Sequence, residues 1–97
     1  MLKLTLCIAG EDDETQRLRR DLTATLTQNL APGAWKLDVI DVIQMPEKAL
    51  QNDVFVTPTL LREIPAPVLK LIGDIAHTPR LLALIQQSGP DGQTLVV

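Results

Sequence analysis

A chain of 97 residues makes one domain, large enough for a single hydrophobic core and too small for two. With 45% hydrophobic and 22% charged residues it is globular rather than disordered, and with Trp35 and Phe55 its only aromatic residues, the core must be built from Leu, Ile and Val. A net charge of −3 and the lack of stacking aromatics argue against a nucleic-acid partner, and the single cysteine excludes an internal disulfide and a CxxC pair. A strand pattern begins at once and no apolar run approaches membrane-spanning length, so a cytoplasmic protein without membrane contact is expected.

Leu2 to Ala9 alternates and then turns fully apolar, the pattern of a central strand covered on both faces, and Gly10 ends it. Asp13 as cap, with Gln16 three residues later, predicts a helix start, which the acidic cluster Glu11-Asp12-Asp13-Glu14 complements electrostatically. Leu18, Leu22, Leu26 and Leu30 drift by only about 120° around a 3.6-residue helix, one core-facing stripe, and Ala31-Pro32-Gly33 stops it. Trp35 to Ile43 reads as a second strand, completing a βαβ unit with a right-handed crossover. Pro46 opens a short helix through Leu50.

Val54-Phe55-Val56-Thr57-Pro58-Thr59-Leu60 reads as a strand, a proline turn and a second strand, because proline cannot donate to a central ladder. Thioredoxin-like domains use such an arrangement with the proline cis; an ordinary trans proline at a strand start fits the local residues equally. Pro65-Ala66-Pro67 forces an extended segment before a strand over Val68–Ile72, which Gly73-Asp74 closes. Thr78 as cap, Pro79 in the first turn and the run to Gln87 predict the last helix. Residues 88–97 read as a tail whose apolar end, Leu95-Val96-Val97, fits a frayed terminus, a short added strand or an oligomer contact. The order βαβαββα is a thioredoxin-like α/β domain.

Several segments together carry a resemblance: Val39-Ile40-Asp41-Val42-Ile43, Pro46, Thr57-Pro58-Thr59-Leu60, Ile64-Pro65, Pro67-Val68 and Ile72-Gly73-Asp74. Over roughly residues 2 to 87 the chain resembles the KaiB family of circadian clock proteins, as a divergent member. The resemblance implies a non-enzymatic, cofactor-free adaptor that binds a KaiC-type hexameric ATPase in circadian or related signalling and stress pathways. The same domain type forms the sensor of a clock-output histidine kinase. It also implies two folds: the thioredoxin-like one, and a tetrameric ground state with a rearranged C-terminal half. Family members carry Gly-x-Asp where this chain has Leu84-Ile85-Gln86. Leu in place of Gly favours helix by about 0.8 kcal/mol, so this fold-switch region, Leu84 and Gln86, tilts toward the thioredoxin-like form.

The resemblance assigns Thr57, Pro58, Pro65, Pro67, Gly73 and Asp74 to the fold. Docking is expected through an exposed patch of Pro46, Glu47, Leu50, Asn52, Asp53 and Arg62. Asp38 and Asp53 stand where clock members carry basic residues, and a charge reversal at a contact costs several kcal/mol against an unchanged partner. KaiA binding is therefore not carried over. A homo-oligomer, dimer or tetramer, remains open.

The residues with chemical potential have plain structural readings. Cys7 lies inside a strand among apolar neighbours, where burial raises a thiol pKa, and it reads as core packing. The four carboxylates at 11–14 match no Ca²⁺ loop spacing and read as a solvated helix start, leaving no metal site. His77 stands beside a cap with no nucleophile in motif spacing and reads as surface. Arg17 and Arg20 are expected to pair with Asp13 and Asp21. The competing function is a thioredoxin-like redox or glutathione-linked enzyme, which the missing CxxC disfavours; a stand-alone sensor domain for a histidine kinase is the third.

Overall fold

The computed structural model describes residues 1–87 and 93–97. Strands β1 (Leu2–Ile8), β2 (Trp35–Asp41), β3 (Thr59–Ile64), β4 (Leu69–Ile72) and β5 (Gln93–Val96) alternate with helices α1 (Asp13–Asn29), α2 (Pro46–Gln51) and α3 (Leu81–Gln86), and a 3-10 turn spans Ile75–His77. They form one sheet in the order β2-β1-β3-β4-β5. β1 and β2 pair in parallel, as the βαβ reading requires; β3 runs antiparallel to both β1 and β4, and β5 lies parallel to β4. This is the thioredoxin-like arrangement with one strand added.

Period-2 alternation decides which residues meet. Leu4, Leu6, Leu60 and Leu71 are fully buried on the face that carries Leu22 and Leu26 of α1 and Leu81, Leu84 and Ile85 of α3. The opposite face holds a smaller cluster of Cys7 and Leu61 under Ala49 and Val54. β1 is covered on both sides, which is why its second half is apolar without interruption.

Some boundaries differ from expectation for local reasons. Asp12, not Asp13, caps α1, its Oδ1 accepting the Thr15 N–H at 2.8 Å; Gln16 reaches the carbonyl of Glu11. β2 stops at Asp41, whose Oδ1 accepts the Ile43 N–H at 2.9 Å and the Gly10 N–H at 3.3 Å, turning the chain out of the sheet. α3 starts at Leu81 because Thr78 to Arg80 form the turn before it. Residues 54–58 are not a strand: Val54 packs under α2, Phe55 and Val56 face solvent, and β3 begins only at Thr59, after a cis Thr57-Pro58 bond. Ile64-Pro65 and Ala66-Pro67 are also cis. Of the alternatives for the chain end, residues 93–96 form the short added strand rather than a tail; residues 88–92 lie outside the described residues.

A candidate protein-interaction surface

The largest exposed apolar side chains near one another in the fold belong to α2 and its two flanking loops. Ile43 and Leu50 are 68% and 69% exposed, Phe55 is 81% exposed, and Met45 and Val56 also face solvent. Pro46 starts α2 without a side-chain cap. At the other end the Asn52 side chain donates to the Lys48 carbonyl at 2.8 Å, and Asp53 takes a left-handed φ of 55°. That turn lets the Val54 N–H reach the Ala49 carbonyl at 2.9 Å, burying Val54 and throwing Phe55 outward. Lys70 Nζ donates to the Asp53 carbonyl at 2.9 Å and ties the turn to β4. The result is a groove of about 380 Å³ walled by Val42, Pro46, Ala49, Leu50, Phe55 and Val56. A contiguous exposed apolar patch rimmed by charge (here Glu47, Lys48 and Asp53) is the physical signature of a protein-binding surface.

Five of the six residues expected at the contact fall on this surface: Pro46, Glu47, Leu50 and Asp53 are exposed, and Asn52 is half-buried as the cap of α2. Arg62 does not, and that expectation is corrected. In β3 it shares a face with Leu60 and lies opposite Leu4 and Leu69, so its side chain enters the core layer and is 3% exposed. Its guanidinium donates to the carbonyls of Gln87 and, at 3.5 Å, Ile85 at the end of α3, and at 2.7 Å to that of Pro67. Burial lowers its pKa from the ordinary arginine value, and its Nε has no partner among the described residues. Arg62 is a staple between β3, α3 and the β3–β4 loop.

A second concavity, a cleft of about 730 Å³, lies beside the loop after β1 and the Thr57-Pro58 segment. It gathers residues remote in sequence: Asp12, Thr15, Arg17 and Asp21 from the start of α1, Thr57 and Pro58, and Gly73, Asp74 and His77. His77 is exposed, as expected, yet its ring nitrogens lie 2.8 Å from Asp74 Oδ1 and 3.0 Å from Asp21 Oδ2. The hydrogen bonds to Asp74 and then to Asp21 raise its pKa above the ordinary histidine value. Arg20 lies 3.7 Å from Asp21 as expected, whereas Glu11 pairs with Arg19 rather than an arginine pairing with Asp13. Cys7 is buried, and burial, with the Glu63 charge in second place, raises its thiol pKa. Among the described residues no cluster of His, Cys, Asp and Glu has a metal-binding arrangement.

The chain has known relatives. Residues 5–87 match the KaiB domain model. The chain belongs to the KaiB family. It is 37% identical to the circadian clock oscillator protein KaiB of Nostoc punctiforme over 81% of this chain and 75% of that one. To the circadian clock protein KaiB3 of Synechocystis it is 29% identical, over 81% and 76% of the two chains. Among solved structures it resembles the N-terminal domain of Synechococcus elongatus SasA, with a TM-score of 0.69 at 26% identity over 91% of this chain and 87% of that domain. The thioredoxin-like fold expected from the residues is therefore the fold of a KaiB-like relative. β5 lies beyond the matched residues. No helix among the described residues is long and apolar enough to cross a membrane.

What the sequence missed is the apolar half of the α2 surface. Ile43, Met45, Phe55 and Val56 are hydrophobic, and hydrophobicity in a run such as Val54-Phe55-Val56 reads as burial. The available signal was that one of the chain's two aromatic residues stood two positions before Thr57-Pro58, in what the structure shows to be an exposed loop.

Proposed function

We infer that this KaiB-family chain is a non-catalytic adaptor that docks on a KaiC-type hexameric ATPase through α2 and its flanking loops. The observation that carries this reading is the exposed group of Pro46, Leu50, Phe55 and Val56 around an apolar groove. Pro46, Glu47, Leu50, Asn52 and Asp53 form its contact with the partner, and Phe55 is its anchor, since buried aromatics dominate interface energetics. Asp53 faces a complementary basic group on that partner, and Asp38, standing where clock members carry the basic residue that captures KaiA, removes the ground for carrying KaiA binding over. The protein works in the cytoplasm.

A redox function has no support: the one thiol is buried with a raised pKa, and thiol chemistry needs an accessible thiolate. The second reading, a stand-alone counterpart of the sensor domain of a clock-output histidine kinase, is favoured by the likeness to the SasA N-terminal domain. One capture experiment separates the two. The protein is immobilised and offered KaiC-type ATPase hexamers with ATP or ADP, and in parallel a histidine kinase whose sensor it would replace. Nucleotide-dependent capture of the ATPase is expected; retention of the kinase alone would transfer the surface to the second reading, and retention of neither would remove both.

A further inference from the structure

We propose that the C-terminal strand β5 is a displaceable strap that fixes the Gly73-Asp74 turn and, through it, the Asp74–His77–Asp21 clasp beside the cleft. Three observations meet at this turn. The Val97 N–H donates to the Ile72 carbonyl at 2.7 Å, and the Val97 carbonyl accepts the Asp74 N–H at 3.1 Å. Val97 also lies so close over Gly73 (φ +105°) that a Cβ on that residue would collide with its carbonyl oxygen. Asp74, held in this way, presents Oδ1 to His77, whose other ring nitrogen reaches Asp21 on α1. The last residue of the chain is thus two hydrogen bonds away from the side chain that bridges the cleft.

The strap is separable from the core that it touches. β5 has four residues and one ladder, along β4, and only Leu95 and Val97 pack against the core; Gln93, Thr94 and Val96 are exposed, Val96 by 82%. The buried core cluster joins residues of β1, β3, β4, α1 and α3, with Leu95 and Val97 only partly buried against it, and the 5–87 family match ends before β5 begins. An edge strand with so few buried contacts opens at lower free energy than the sheet centre. Its release frees the Asp74 N–H and lets the turn move, and the clasp then loses one of its two carboxylates. The charges around His77 are Asp74 on its own segment, Asp21 with Arg20 beside it, and Asp12, Glu14 and Arg17 along the cleft.

The test uses the full chain with Leu95→Asp, which places a charge at a strap anchor, and Val97→Pro, which removes the amide that donates to the Ile72 carbonyl. Amide hydrogen exchange is read at Leu95, Asp74 and the β1 residues, and His77 is titrated by NMR. Release of the strap should accelerate exchange at Leu95 and, by about tenfold or more, at Asp74, with β1 unchanged. The His77 midpoint should fall toward that of free imidazole. The proposal is overturned if Leu95 is released while Asp74 and His77 keep their wild-type behaviour, because the turn then stands alone. It is equally overturned if Asp74 opens only together with β1, if the variants fail to fold, or if neither variant releases Leu95, because β5 is then an integral strand.

Discussion

Replacing Arg62 with Ala separates a staple from a surface contact. The substitution removes a guanidinium that is 3% exposed and joins the carbonyls of Gln87, Ile85 and Pro67. Two of these bonds are close, and hydrogen bonds from a charged donor contribute about 1.5–3 kcal/mol each. Against this stands the cost of burying a guanidinium that, among the described residues, has no carboxylate partner and an unsatisfied Nε. Gln87 is exposed and Pro67 half-buried, so their carbonyls regain water when the side chain is gone. The balance is a net destabilisation of about 2 kcal/mol, which for a domain of this size lowers the melting temperature by roughly 10 °C. Urea unfolding followed by far-UV circular dichroism gives the free energy, and a thermal melt gives the shift. The decisive comparison is with partner affinity measured well below the melting temperature, where the folded variant should bind as the wild type does. A variant with unchanged stability and lost binding would refute the staple and return Arg62 to the contact surface.

Phe55→Ser should leave stability within about 0.5 kcal/mol, since the ring is already 81% exposed, yet weaken capture of the KaiC-type partner by about 30-fold, the effect of losing an interface anchor of about 2 kcal/mol; equal affinity would remove Phe55 as the anchor. His77 has a folded-state pKa raised above its unfolded value of about 6.5, so its stabilisation is complete below about pH 6.5 and is lost as pH rises through the folded-state pKa. The wild-type melting temperature should therefore fall relative to that of His77→Gln across this window, and parallel profiles for the two proteins would dispose of the clasp. Cys7, 1% exposed with a raised thiol pKa, should resist alkylation at neutral pH until the protein unfolds, as followed by intact-mass spectrometry in increasing urea. Rapid modification of the native protein would reopen the redox reading.

The elements were legible wherever a periodic pattern ran long enough to have one solution. The four-residue spacing of Leu18, Leu22, Leu26 and Leu30 set the inward face of α1, and the uninterrupted apolar end of β1 set it at the sheet centre. Short segments were less legible, because one side-chain interaction moves their ends: Asp41 cut β2 before Ile43, and Asp12 took the cap from Asp13. Of the candidate site, the polar residues of α2 could be named from sequence. Arg62 was misplaced by its charge, although its two-residue spacing from Leu60 already put it on the buried face.

By itself the sequence determined the fold class, the family, the order of β1 through α3 and the burial of Cys7, since each follows from residue type, spacing or an ordered set of motifs. Only the tertiary structure decided that Phe55 is exposed and Arg62 buried, that His77 reaches Asp21, 56 residues away along the chain, as well as Asp74, and that the C-terminal residues close on Gly73. The physical reason is the same in each case. Local preference describes a residue and its near neighbours, whereas exposure, pairing and close approach depend on which distant surface arrives opposite it.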